Sequence, residues 1–269
     1  MHITFIGGGN MATALIGGLL AKDWSASQIR VVEVDAAARE RLTGRFGVAT
    51  TEAPEVDGSD TVLLAVKPQQ MHEVARRLAG RLGSQLVLTI AAGIRLDDLA
   101  RWLGGYQRLV RCMPNTPALV HCGVTGLYAL PQVSREERQR AEAILGAVGR
   151  TVWLDREELL DAVTAVSGSG PAYVFYFMEA LEEAASSLGL SREQARLLVV
   201  ETFLGAASLA RQSEEPLAAL RARVTSKGGT TERAVAVLEE ARLRDHIAQA
   251  VRAAHARSRE LGDEFGKLG

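Results

Sequence analysis

Two clusters in this sequence have residue types and spacings that could do chemistry, and both are built from glycine and small polar residues. The first is Gly7-x-Gly9-x-x-Ala12. Gly7 permits a tight turn, Gly9 lets backbone approach a pyrophosphate without a Cβ in the way, and Ala12 lets a following helix pack close to its strand. Asn10 and Met11 open that helix, whose free N–H groups and dipole favour phosphate. Glu33 and Asp35 lie about twenty positions past Ala12, where a carboxylate accepts the ribose hydroxyls of NAD. The alternative is a pair of solvated charges at a strand end. The second cluster is Ser226, Gly228, Gly229, Thr230 and Thr231. Glycine and hydroxyl residues ahead of a helix make an anion site from backbone N–H groups. Capping by Thr230 would use one hydroxyl, and the surplus around a Gly-Gly pair suits a small carboxylate. A related stretch, 167–171, opens another helix with Ser169 as its candidate cap.

Other chemistries lack their residues. His2, His72, His121, His246 and His255 show no H-x-x-x-H or H-E-x-x-H spacing, and no Cys/His cluster offers a metal site. No G-x-S-x-G elbow with a His partner occurs. A reaction carried by the cofactor itself remains, and hydride transfer asks the protein chiefly for orientation and electrostatics. The balance of 47% hydrophobic and 23% charged residues is globular, with a formal net charge of −1 and no basic stripe. Nucleic acid is therefore not an expected partner. Cys112 and Cys122 lack C-x-x-C spacing, and two free thiols in a chain of 269 residues suggest a reducing compartment. No run reaches the roughly 18 apolar residues of a membrane span. The apolar start of the chain has no basic residue before it and is interrupted by glycines, so it reads as a helix of the fold and not as a signal peptide. A cytoplasmic location is expected.

The elements that must position these clusters follow from periodicity. Ile3–Ile6 is a short β-rich run, and Met11, Leu15 and Leu19 recur at helical spacing after the glycines. A second strand at 30–34, a solvated helix over Ala36–Phe46 and a short strand at 47–50 follow. Residues 61–66 and 86–90 are continuous apolar runs, as expected of parallel strands buried on both faces. Ala91, Ala92 and Gly93 end the second run, at the sheet edge where ligands bind in open α/β folds. A short helix at 96–103 and a strand over Leu109–Met113 lead to the loop Pro114, Asn115, Thr116 and Pro117. Strands are expected at 124–129 and 151–154, separated by a helix opened by the Ser134 and Glu137 capping box. After Leu154 the period is helical to about Leu261. The expected organisation is an α/β Rossmann dinucleotide-binding domain at 1–154, followed by an all-α domain at 155–269. Residues 172–178 are apolar around the whole helix and 197–200 nearly so. Such helices must be buried, and a unit this small offers too few neighbours, so a second subunit is expected to cover them.

Six stretches, at 5–12, 65–68, 91–94, 111–117, 167–173 and 224–231, together resemble pyrroline-5-carboxylate reductases, in family order along the chain. The last two are far more specific than the glycine fingerprint. The resemblance implies reduction of 1-pyrroline-5-carboxylate to L-proline with NADP or NAD in reduced form, by a homodimer interlocked through its helical domains and sometimes assembled further. It also implies a site between one subunit's Rossmann domain and its partner's helical domain. By position, Gly7, Gly9, Asn10, Met11, Ala65, Val66, Lys67 and Pro68 would hold the phosphates and adenosine end. Ala91, Ala92, Gly93, Met113, Pro114 and Asn115 would flank the nicotinamide. Ser226 and the backbone from Gly228 to Thr231 would hold the substrate carboxylate, with Thr231 facing the ring nitrogen.

The residues agree with that mechanism. A C=N bond accepts hydride when its nitrogen is protonated or hydrogen-bonded, which a Thr hydroxyl can arrange. One position departs from the pattern, because NADPH-preferring members carry an Asn-Arg-like pair where this chain has Glu33 and Val34. NADH is accordingly expected to serve at least as well as NADPH, unless Arg39 or Lys67 reaches the 2′-phosphate. The competing classes are another Rossmann imine or 2-keto/hydroxy acid reductase and a non-catalytic NAD(P) sensor. A β-hydroxyacid dehydrogenase uses a helical lysine, whereas Lys227 lies in a glycine loop. A sensor would need no carboxylate loop.

Overall fold

A computed structural model describes residues 1–268. The chain runs β1 (Ile3–Ile6), α1 (Asn10–Leu20), β2 (Ile29–Val32), α2 (Ala36–Phe46), β3 (Ala49–Thr51), β4 (Thr61–Leu64), α3 (Pro68–Leu78), β5 (Leu86–Thr89) and α4 (Leu96–Trp102). It continues through β6 (Leu109–Met113), β7 (Gly123–Ala129), α5 (Arg135–Leu145), β8 (Gly149–Trp153) and α6 (Leu159–Val163), which passes into a π turn at Thr164–Gly168. The remaining helices are α7 (Gly170–Ser187), α8 (Arg192–Gln212), α9 (Leu217–Arg223), α10 (Thr230–Glu240) and α11 (Leu243–Gly266).

The strands form one sheet in the order β3-β2-β1-β4-β5-β6-β7-β8. Every pairing is parallel except β6 with β7, so the last two strands run against the first six. The apolar runs are continuous because successive side chains enter different cores. Ile3, Phe5, Leu63 and Leu88 belong to one buried cluster, while Ile6, Val62, Leu64 and Val87 belong to the other. Each fully buried aliphatic side chain contributes roughly 1.5–3 kcal/mol. The strand order reverses beside β1, where β2 and β4 lie on its two sides, and their carboxyl ends open a crevice there.

Compactness divides the chain differently from periodicity. One unit comprises Met1–Ser169 with Ala253–Gly269, and the other Gly170–Arg252. The strands do stop at Trp153, where the period changes. However, α6 packs under β7: a Cβ at Gly126 would lie 2.9 Å from Val163 and 3.1 Å from Leu160. The end of α11 also returns to the first unit, where Arg95 reaches Asp263 at 2.7 Å and Trp102 donates to the Leu268 carbonyl at 2.8 Å.

In the second unit α7 and α8 pack together, and α8 starts in a capping box between Ser191 and Gln194. Very little of this unit is covered. No residue of α7 is buried, and only Ala195 and Val199 are buried on α8. The helix expected to be enclosed therefore stands open in the single chain, with Phe175 66% and Tyr176 71% exposed. A tightly packed monomeric bundle is excluded as the explanation of its apolarity.

Candidate active site

The glycine turn takes the shape its sequence requires. Gly7 has φ +99°, and a Cβ there would lie 2.8 Å from the Ala65 carbonyl oxygen. Neither the angle nor the space admits another residue at no cost. Gly9 differs. Its φ is −69°, it precedes α1 with no side-chain cap, and a Cβ would meet nothing within 4 Å. The first-turn amides of α1 thus face an open place beside the sheet, while Ala12 is buried beneath it. Met11 packs partly against the core and Asn10 is exposed.

A cleft of about 560 Å³ lies at this edge, lined by the glycine turn, Glu33, Val34, Ala65, Val66 and Lys67, with Pro54, Gln70 and Arg77 on its far wall. Lys67 immediately precedes α3, and Pro68 occupies that helix's first turn, where its missing N–H costs nothing. Pro54, Gln70 and Arg77 carry no motif signal, and only the fold brings them here. A second groove of about 500 Å³ shares Gly8, Gly9, Glu33 and Asp35 and is bounded by Arg41 and Arg45.

Glu33 is more engaged than its position in the sequence suggests. Its Oε2 accepts the Gly8 N–H at 2.8 Å and its Oε1 accepts the Asp35 N–H at 3.0 Å. The carboxylate therefore locks the glycine turn to the end of β2 and keeps its remaining lone pairs for a ligand. Arg39 lies inside α2, not in a turn before it. Its Nη1 donates to the Glu33 carbonyl at 2.7 Å and the Val34 carbonyl at 3.0 Å, and its Nη2 lies 3.6 Å from Glu52. That guanidinium is committed to the backbone.

Further along the same edge, Gly93 has φ +75° and sits where a Cβ would lie 3.2 Å from Leu261 and Phe265. Ala91 is buried and Ala92 half-buried. In the loop after the neighbouring strand β6, Asn115 Oδ1 accepts the Val124 N–H at 2.9 Å and its Nδ2 donates to the Ser167 carbonyl at 3.2 Å. Those bonds hold the loop of Met113 and Pro114 in place. Burial pushes the Cys112 thiol far above its usual range, so it is no nucleophile. Among the described residues, no group of three or more His, Cys, Asp or Glu could hold a metal.

The second cluster belongs to the other compact unit. Gly228 has φ +73°, and the Gly229 N–H closes a turn onto the Ser226 carbonyl at 3.0 Å. Gly229, not Thr230, occupies the position before α10, and no side chain caps it there. Thr230 and Thr231 are the first two helical residues, so their amides lack intrahelical acceptors. The Gly228 N–H is already taken by Glu232 Oε2 at 2.7 Å. This loop thus offers the Thr230 and Thr231 amides with nearby hydroxyls, and Gly228 serves the turn. Ser169 lies between the π turn and α7.

Comparison with known proteins shows the family. A family model described as pyrroline-5-carboxylate reductase dimerisation matches residues 157–261, and one described as NADP oxidoreductase coenzyme F420-dependent matches residues 2–93. A pyrroline-5-carboxylate reductase of Pseudomonas aeruginosa is 48% identical over 269 residues, covering 99% of this chain and 98% of the relative. The solved structure of such a reductase from Coxiella burnetii superposes with a TM-score of 0.92 at 42% identity, over 97% of this chain and 98% of the other. A Plasmodium falciparum pyrroline carboxylate reductase, solved with NADP bound, gives 0.86 at 26% identity over 97% of this chain and 98% of that one.

Proposed function

The chain belongs to the pyrroline-5-carboxylate reductase family, whose reaction is the last step of proline biosynthesis, and we propose how its residues divide the work. It is an NAD(P)-dependent oxidoreductase that reduces the C=N bond of 1-pyrroline-5-carboxylate to L-proline, and it works as a homodimer. The observation that carries the site assignment is the open first turn of α1 at Gly9, facing the cleft at the sheet's carboxyl edge. Unpaired first-turn amides beside a cavity of this size suit a phosphate group.

In this reading Gly7, Gly9, Asn10, Met11 and the segment Ala65 to Pro68 hold the phosphates and adenosine end, and Glu33 meets the adenosine ribose. Residues 91–93 and 113–115 flank the nicotinamide, which when bound supplies the hydride. The Thr230 and Thr231 amides and the Ser226 hydroxyl hold the substrate carboxylate. With the imine nitrogen already protonated, hydride addition at C5 would place the C=N π electrons on nitrogen and give the neutral amine directly. Thr231 holds a hydrogen bond to that nitrogen, which lowers the barrier by stabilising the developing amine. No His or Lys acid is needed for this step.

The sequence division at Leu154, assembly of dimers into larger oligomers and a cytoplasmic location are parts of the same proposal. No helix among the described residues is long and apolar enough to cross a membrane. Oxidation of NADH and of NADPH, assayed separately with pyrroline-5-carboxylate, tests the activity. Turnover with another imine or 2-keto acid alone would favour the competing reductase reading.

A further inference from the structure

A buried charge cluster beside the sheet's carboxyl edge has no part in the scheme above. Arg111, on β6, is 4% exposed. Its Nη1 lies 3.0 Å from Glu157 Oε1 and its Nη2 lies 3.8 Å from Asp161 Oδ1. The same Glu157 oxygen accepts the Leu96 N–H at 2.8 Å, and Asp161 Oδ1 accepts the Ser258 hydroxyl of α11 at 2.7 Å. Two carboxylates around one guanidinium leave a net buried negative charge. Such an arrangement is a poor way to stabilise a core, where apolar packing does as well or better.

Its placement suggests a different use. Leu96 opens α4 directly after the loop of residues 91–95, and Arg111 lies two positions before Met113. Glu157 joins the roots of both loops through a single oxygen. The same segment continues to Ser167, whose carbonyl holds Asn115, and to Gly168, where a Cβ would lie 2.7 Å from Met113 Cε.

We propose that Glu157 is a positioning residue for hydride transfer, its carboxylate tying the loop after β5 to the loop after β6 and so fixing the width of the slot between them. The inference rests on the assignment of residues 91–93 and 113–115 to the nicotinamide. Misplacement of reacting atoms by about 1 Å can cost on the order of 100-fold in rate, so the slot's width matters. Burial raises the Glu157 carboxyl above its usual range, against the lowering charge of Arg111, while Asp97 of α4 adds to the rise. Asp161 of α6 shares the guanidinium, and α11 contributes the uncharged Ser258. The folded chain therefore holds this proton more tightly than the unfolded one, and stability from this group falls as pH rises through that range.

Glu157→Gln separates positioning from stability. The amide oxygen still accepts the Leu96 N–H, Arg111 keeps Asp161, and the net buried charge disappears, so the melting temperature should not fall. Loss of the ionic tie should lower kcat about tenfold, with KM for pyrroline-5-carboxylate and Kd for NADPH within about twofold. The isotope effect with C4-deuterated NADPH should rise, and the fall in kcat that protonation of Glu157 should cause in the wild type at acid pH should be absent. Ser258→Ala, which frees Asp161 to move, should give a smaller change in the same direction. Wild-type kcat and isotope effect in folded Glu157→Gln would overturn the proposal. So would a fall in kcat that only accompanies lower stability and weaker NADPH binding. Ala92→Leu separates the two readings. If it leaves NADPH affinity and kcat intact, the assignment of the loop fails. If it abolishes turnover while Glu157→Gln changes nothing, the positioning role alone fails.

Discussion

At the scale of single residues, the proposed roles of the Ser226 to Thr231 loop divide binding from chemistry. If Thr231 hydrogen-bonds the imine nitrogen in the transition state, Thr231→Ala should lower kcat by about a hundredfold, with folding and NADPH affinity intact. A substrate that arrives already protonated would reduce that loss, so the effect should grow toward alkaline pH in steady-state assays. Ser226→Ala should chiefly raise KM for the imino acid, by weakening its carboxylate site. In the proposed arrangement Glu33 meets the other end of the cofactor. A carboxylate near the ribose repels a 2′-phosphate but accepts hydrogen bonds from a free diol. Arg39, one of the two basic residues the sequence offers to offset this, is spent on the Glu33 and Val34 carbonyls. NADH should therefore be used at least as well as NADPH, and Glu33→Asn with Val34→Arg should move the kcat/KM ratio toward NADPH. A wild-type ratio strongly favouring NADPH would mean that another basic group, Lys67 or Arg41, reaches the phosphate.

At the scale of elements, the turn between β1 and α1 contains two glycines with different duties. Gly7→Ala places a Cβ at positive φ against the Ala65 carbonyl, so it should destabilise the fold by about 1–2 kcal/mol, read from a denaturant midpoint. Gly9→Ala meets open space at an ordinary φ and should leave stability unchanged. The same change should weaken NADPH binding, because the Cβ fills the approach to the helix N-terminus. Equal loss of affinity and stability in both variants would show that the turn has only a structural role. The sequence placed this element correctly because a strand, a glycine turn and a helix each have a local signature. It did not reveal that Glu33 holds the Gly8 amide, since that bond joins elements separated by all of α1.

At the scale of the whole molecule, the second unit is explained only by a second copy of the chain. Phe175, Tyr176, Leu197 and Leu204 are more than half exposed in the single chain, far more apolar surface than a monomer displays. Phe175→Asp adds a charge to an exposed position, so the single chain should fold as before. The dimer would have to bury that charge unpaired, at several kcal/mol. Sedimentation should then show monomer or aggregate at micromolar concentrations where the wild type is dimeric. A dimer of wild-type affinity in this variant would place the interface elsewhere.

The sequence by itself determined the Rossmann strands and helices, the glycine turn, the change to helices after Leu154 and the need for a partner. Each follows from local spacing, since buried parallel strands read as apolar runs and amphipathic helices repeat every three to four residues. The motifs carried the site assignment for the same reason. The tertiary structure decided what spacing cannot encode. It turned β7 and β8 against the other strands, drew α6 and the end of α11 into the first unit, and assigned Arg39 to backbone carbonyls. It also brought Arg111, Glu157, Asp161 and Ser258 together from three distant parts of the chain. Buried charges are admitted only with partners, and where those partners lie is fixed by the packing of elements and not by any neighbour in sequence.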